Sequence, residues 1–305
     1  MLDIPSPQPW DRAPQPPAGA HESRGTSARL AATLAPLIRQ DGFQDTAIDG
    51  VRLIASHCGH PRTPLIYEPG LFIIAQGDKV GYLGDRTIHY GPGNYLVQAM
   101  PLPFECETIA SRETPLLGIT LGFDPVMLNE MVQQMPGGSA APAEPMAAVA
   151  LDDTMADSVQ RLVDCLHDET ASRLLGPGRM REVLYFALRG PQGDSLRHLV
   201  QRQGQYARIA ESLDYVHRHY ATPISVESLA GRANMSASHF HHHFKRTTKL
   251  SPMQYLKRLR LLRARALLGQ QGFNVARAAA EVGYRSTSQF SREYKRYFGV
   301  SPSRD

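Results

Sequence analysis

The sequence predicts an α+β multidomain chain: a small all-β domain, a helical connector, and an all-α C-terminal domain built from two helix-turn-helix units. Three observations carry this reading. Turn signals interrupt β-prone runs every eight to twelve residues or so between Asp45 and Leu121. Helical periodicity takes over after Pro125. A repeat with a shift of fifty positions then occupies a basic C-terminal third.

The first 25 residues, rich in proline, have neither the basic start nor the apolar core of a secretory signal, and they are expected to be a disordered tail. No apolar run is long enough to cross a bilayer, so a membrane is not an expected partner. Three separated cysteines, Cys58, Cys106 and Cys165, form no CxxC pair, so neither a disulfide framework nor a cysteine zinc site is expected, and a reducing cytoplasm fits best.

Residues 26–150 form the expected β domain with its flanking segments. Gly-Asp, Gly-Pro-Gly and Pro-Leu-Pro punctuate LIYEPGLFIIAQGDKVGYLGDRTIHYGPGNYLVQAMPLPFECETIA at the spacing of a sandwich or barrel. Metal cupins pair His-x-His with a glutamate and a later histidine, whereas these strands offer only isolated His57, His60 and His89. No metal, cofactor or catalytic residue is expected. Arg62, Tyr67 and Glu68, beside a Pro-Gly turn, either line a ligand mouth or close a hairpin.

Residues 151–204 are expected to be a helical connector. A flexible insert, MPGGSAAPAEP, precedes it; Val159, Leu162 and Leu166 then share one helical face, and Val183, Phe186 and Ala187 another. Such helices suit packing against a second subunit.

Residues 205–305 carry 17 Lys plus Arg against 6 Asp plus Glu, a net of +11, which leaves −7 for the rest of a +4 chain. So basic a domain suits a polyanion, and duplex nucleic acid is the leading candidate. In the repeat, Ala230 matches Ala280, Ser236 Ser286, Ser238 Ser288, Phe240 Phe290, and Phe244 Tyr294; Lys245-Arg246 match Lys295-Arg296, and Ser251-Pro252 match Ser301-Pro302. Ser225 and Ser236 can cap successive helices across a turn at Asn234. Phe240 and Phe244, at i and i+4, are expected inward, with Ser238, His239, His241, His242 and Lys245 left on other faces. In the second copy Thr287, Ser288, Gln289, Ser291 and Arg292 remain outside. Short polar, amide and guanidinium groups read base edges, and neighbouring lysines and arginines hold phosphates.

Three consecutive histidines point about 100° apart on a helix and cannot share one metal. His239 and His243 could, but no third ligand is evident, so the run is read as a surface of the reading helix with His243 as its packing member. Between the units, PMQYLKRLRLLRARALLGQQ presents Tyr255, Leu256, Leu259, Leu262, Ala266 and Leu267 as an apolar stripe. A helix of about seventeen residues spans roughly 25 Å. It would hold two reading helices on one side of a duplex, in major-groove segments about 34 Å apart.

FHHHFKRTTKLSPMQYLKRLRLLRARALL and VARAAAEVGYRSTSQFSREYKRYFGVSP resemble the signature of AraC-family bacterial transcription regulators, and TPLIYEPGLFIIAQGDKVGYLGDRTIHYGPGNYLV is similar to the cupin-like N-terminal domain of one subgroup. The resemblance covers about Thr46 to Ser303. It implies a cupin-like β-barrel and a regulator that binds operator DNA under the control of a small-molecule effector, as an activator and homodimer, with RNA polymerase as a further partner. It places base contacts on Ser238, His241 and His242, then on Thr287, Ser288, Gln289, Ser291 and Arg292; Lys245, Arg246, Lys295 and Arg296 stand beside them for the backbone. Its aldehyde-responsive members suggest Cys58 and Cys106 as sensing thiols, against the plainer reading of each as a small buried hydrophobe. The family often has glycine at the positions of Asn234 and Lys249, and Gly283 falls one place earlier than Asn234 in the repeat register, so the second turn is expected to be longer by a residue. The alternative reading is a cupin-type enzyme tethered to DNA by a basic module.

Overall fold

The structure, a computed structural model, describes residues 20–135, 143–200 and 204–305. Helix α1 (Ala20–Leu34) leads into a short 3-10 turn, Ala35–Leu37. Nine strands follow: β1 (Gly42–Asp45), β2 (Val51–Ser56), β3 (His60–Ile66), β4 (Gly70–Gln76), β5 (Asp78–Leu83), β6 (Arg86–Tyr90), β7 (Asn94–Gln98), β8 (Pro103–Ile109) and β9 (Leu116–Gly122). Next come α2 (Pro125–Gln134), β10 (Met146–Ala150), α3 (Asp153–Cys165), α4 (Glu169–Arg189) and α5 (Gly193–Val200). The C-terminal helices are α6 (Gln205–His219), α7 (Val226–Arg232), α8 (Ala237–Thr248), α9 (Pro252–Leu268), α10 (Val275–Glu281) and α11 (Thr287–Phe298).

The strands form two antiparallel layers, a six-stranded sheet ordered β1-β2-β9-β4-β7-β10 and a four-stranded sheet ordered β3-β8-β5-β6. Among the described residues no strand of one sheet pairs with a strand of the other, so the expected barrel is an open two-layer form of that architecture, not a ring closed by hydrogen bonds. Strand β4 explains why its text reads as an unbroken apolar run. Leu71 and Ile73 face a core made with α1, α3 and α4, while Phe72 and Ile74 face the four-stranded sheet.

The chain departs from expectation at two places. Of the tail expected over 1–25, residues 1–19 lie outside the described residues; Ala20 to Gly25 open α1 instead. That helix is held by Leu30, Ala31 and Leu34, all buried against the sheet core. Strand β10, at the end of the segment expected to flank the β domain and not itself read as a strand, exists because it completes the edge of β7 in register Met146 to Gln98 and Ala150 to Asn94. Its alanine-rich text carries little strand propensity of its own. The insert's residues 136–142 lie outside the described residues.

The connector's cores match their pattern. Val159, Leu162, Val183 and Ala187 are buried, with Phe186 and Leu166 packed beside them. Asp152 and Asp168 cap α3 and α4 by accepting from the N–H groups of Met155 and Ala171.

Candidate nucleic-acid interface

In the first unit, Ser225 and Ser228 form a reciprocal capping box at the start of α7, whose Leu229 and Ala230 are buried. The chain turns at Asn234, which adopts φ of 49°, and the Met235 N–H donates to the Ala230 carbonyl at 3.0 Å. Ser236 then caps α8 through the His239 N–H. Phe240 and Phe244 are fully buried. Helix α8 ends at Lys249, left-handed at φ of 62°, whose N–H donates to the Lys245 carbonyl at 2.9 Å. Both non-glycine positions thus adopt the conformation that glycine would provide.

The second unit repeats this grammar with one residue more. Asn274 caps α10 through the Arg277 N–H, and the turn hydrogen bond runs from Tyr284 N–H to the Ala279 carbonyl at 2.9 Å. One residue, Arg285, then separates that donor from its serine cap, Ser286, where Met235 and Ser236 are adjacent. The left-handed residue is Gly283 at φ of 85°, and a Cβ there would stand 2.3 Å from the Ala221 carbonyl oxygen, so the turn both needs positive φ and has no room for a side chain. Phe290 and Tyr294 are fully buried, and Gly299 ends α11.

The exposed faces correspond position by position. Ser238, His241, His242 and Lys245 are exposed on α8, at the i, i+3, i+4, i+7 spacing that shares one face. On α11, Ser288, Arg292 and Lys295 are exposed at the matching positions and Ser291 is half-buried; Thr287, Gln289 and Arg296, like Arg246 in the first unit, are also exposed. The residues expected to meet DNA are therefore presented together on their two helices. His243 is buried, as read, and burial pushes its pKa down, with Arg246, His239 and His242 adding to the effect. Its ring packs 4.3 Å from that of His239. Among the described residues no group of three or more His, Cys, Asp or Glu is arranged to hold a metal.

One acidic residue went unread in the sequence. Glu293, on α11, receives hydrogen bonds from Tyr284 at 2.8 Å and Gln289 at 3.3 Å and an ion pair from Lys257 at 3.0 Å. Partial burial raises its pKa, but those three donors overcome this and hold it below the ordinary value. The carboxylate ties the second reading helix to α9 and tethers the side-chain amide of Gln289. The single acid among the cations of SREYKR was the available signal.

Helix α9 also differs from its expected stripe. Tyr255, Leu256 and Leu259 are buried in one core and Leu261 and Ala264 in another, while Ala266 is exposed and Leu267 partly covered. Two units grip the helix on different faces, so its apolar residues do not follow one line.

The candidates for a ligand mouth do not converge. Arg62 pairs with Glu105 and lies 4.0 Å above the Tyr82 ring. Tyr67 is buried, stacked on Phe72 at 4.3 Å, and burial raises its pKa well above the ordinary value. Glu68 instead reaches the C-terminal domain, pairing with Arg263 of α9 at 3.1 Å. Cys58 is exposed near His60, and Cys106 is buried between the sheets. His57 binds Asp41 and lowers its pKa, His60 meets Ser56 at 3.0 Å, and His89 is exposed.

Tyr255 marks a second contact between the halves. Its hydroxyl donates to the Pro101 carbonyl in the β domain and meets Nε2 of His217, on α6, at 2.7 Å. Since that hydroxyl's proton goes to Pro101, Nε2 is the donor toward Tyr255.

Comparison with known proteins agrees with this architecture. Residues 47–195 match the AraC-type transcriptional regulator N-terminus, and residues 229–305 match a helix-turn-helix domain. The HTH-type transcriptional activator RhaS of Escherichia fergusonii is 31% identical over 153 residues, 50% of this chain and 54% of that protein. The regulator GbdR of Pseudomonas aeruginosa is 38% identical over 80 residues, 26% of this chain and 22% of its own length. The chain thus spans about half the length, or less, of these relatives. The fold over most of the chain is that of ToxT from Vibrio cholerae, solved with an unsaturated fatty acid bound: TM-score 0.58 at 11% identity, covering 88% of this chain and 96% of that one. The chain belongs to the AraC family of transcriptional regulators.

Proposed function

We propose that this chain is a sequence-specific, duplex-DNA-binding transcription regulator in which residues 26–150 sense a small molecule, 151–204 connect, and 205–305 bind DNA. The observation that carries the reading is the pair of reading helices, α8 and α11, each exposing one matched polar and basic face within a segment of net charge +11. Ser238, His241 and His242 would read bases in one groove segment, and Thr287, Ser288, Gln289, Ser291 and Arg292 in the next. Lys245, Arg246, Lys295 and Arg296 would hold phosphates.

The chain acts without catalysis in this reading: His57, His60 and His89 have separate partners or none that form a site, which disfavours the tethered-enzyme alternative. It works in the cytoplasm as a homodimer that activates transcription through RNA polymerase. A second copy suits the connector, where Leu174 and Leu175 of α4 are 71% and 52% exposed. The relatives' names support activation; the effector is a small molecule whose class the residues leave open.

The test is binding of the full chain to duplex DNA from its own promoter region across a salt series. If about six phosphates are neutralised, log K against log salt should fall with a slope of order −5 or steeper. A flat response would exclude DNA as the partner.

A further inference from the structure

The interior between the two sheets holds a lysine amine. Lys79 of β5 is only 6% exposed, and its ammonium position lies among neutral groups: Thr108 Oγ1 at 2.9 Å and Cys106 Sγ at 3.9 Å. Cys106, 3% exposed, also meets the Tyr90 hydroxyl at 3.4 Å. Among the described residues no carboxylate pairs with Lys79. A buried amine without a counter-charge costs stability that leucine or methionine would not, so its presence calls for a chemical reason.

The register explains the juxtaposition. Lys79 lies opposite Thr108, and Gly81 opposite Cys106, so Lys79 and Cys106 are diagonal neighbours on the inward face of β5 and β8. Gly81 has no side chain, and a Cβ there would meet Met146 at 2.9 Å and Phe104 at 3.4 Å, so those two residues cover this part of β5 and seal the lysine and the thiol inside. Burial lowers the pKa of Lys79, which enlarges the neutral, nucleophilic fraction of its amine.

We propose that Lys79 and Cys106 are an oxidative cross-linking site, joined by molecular oxygen through a reversible Nζ–O–Sγ bridge. The S–H bond, one N–H bond and the O–O bond break, and S–O and O–N bonds form. Sulfur and nitrogen each give up two electrons. One oxygen atom remains in the bridge, and the other leaves as water with the two hydrogens. An intervening oxygen also leaves less of the 3.9 Å gap to close than a direct S–N bond would. Dioxygen is small and apolar enough to enter a packed interior that excludes larger oxidants. The bridge would staple β5 to β8, the strand whose Glu105 holds Arg62 and which packs with β3 against α9.

The experiment is tryptic peptide mapping of the full chain kept in air-saturated buffer, before and after a thiol reductant. The expected result is loss of cleavage after Lys79 and a linked pair containing Lys79 and Cys106. Its mass should equal both reduced peptides plus one oxygen and minus two hydrogens, and the reductant should restore both peptides. Lys79→Met and Cys106→Ser, each neutral in the core, should lack the linked species, while Cys58→Ser retains it. Free Cys106, or Cys106 carrying only sulfinic or sulfonic acid with Lys79 still cleaved, would overturn the proposal. So would a linked pair without the extra oxygen, which would mean a direct S–N bond.

Discussion

The two helix-turn-helix units share their caps, their left-handed turns and their buried aromatic pairs, yet they are seated differently. Phe240, Phe244, Tyr255 and Leu229 of the first unit belong to one continuous core with Tyr67, Phe104 and Met100 of the β domain. Phe290 and Tyr294 of the second belong to a small separate core with Leu261, Ala264, Ala279 and Val282. The same local code therefore yields one unit bonded to the β domain and one that hangs from α9. Any change transmitted from the β domain meets the first unit before the second.

The sharpest way to break this contrast is to hollow each unit. Phe244→Ala should cost roughly 3 to 5 kcal/mol and lower the main thermal transition. Phe290→Ala should cost a similar amount locally but lower only a minor transition belonging to the second unit. Scanning calorimetry decides; equal shifts of one cooperative transition in both variants would mean that the two cores unfold as a unit.

The reading faces give the next largest effect. Arg292 stands where the first unit has His242, and a guanidinium can make a bidentate contact with guanine. Arg292→Ala should weaken cognate binding by about 1 to 3 kcal/mol and relax preference at one base pair, whereas Lys295→Ala should weaken all sequences alike. Competition titrations against cognate and scrambled duplexes distinguish the two; equal losses on both duplexes for Arg292→Ala would remove it from base reading.

Acid should loosen the first unit selectively. Burial, with Arg263 adding to it and Glu68 and Asp214 opposing, lowers the pKa of His217 to about 4 from 6.5. Because the docked value lies below the free one, the undocked state takes up the proton first as pH falls. The stabilisation is complete above about 6.5 and drains away as pH falls towards 4. Hydrogen exchange at pH 5 should therefore rise in α6 and α9 near Tyr255 more than in α11. A uniform rise across the domain would contradict this.

The smallest effect concerns the Glu68–Arg263 pair, with side chains 65% and 37% exposed. Glu68→Gln should cost at most about 1 kcal/mol, diminishing with salt. Its better readout is the mobility of the second unit relative to the β domain, measured by spin-label distances. An unchanged distance distribution would make the pair incidental.

Much of the C-terminal half was legible because it is written in local signals: serine caps, an i, i+4 aromatic pair and a fifty-residue repeat fix helices without reference to anything distant. The longer second turn was legible from Gly283 alone. The β domain was readable as strands and turns at the spacing of a sandwich or barrel, but the choice between the two was not, because edge closure depends on pairings far apart in sequence. Strand β10 was hidden for the same reason, its alanines gaining strand character only against β7. The contacts of Glu68 with Arg263 and of Tyr255 with Pro101 were invisible too, since each crosses the domain boundary and nothing local marks a glutamate or tyrosine for such a contact.

Helix α9 carries a consequence of another kind. It is gripped on one face by the first unit and on another by the second, so the angle between the two reading heads is a property of helical screw symmetry. Each residue added between Leu259 and Leu261 would turn the second head by about 100° and advance it by about 1.5 Å. The relative setting of α8 and α11 is thus written into a residue count, and it can change only in quantised steps.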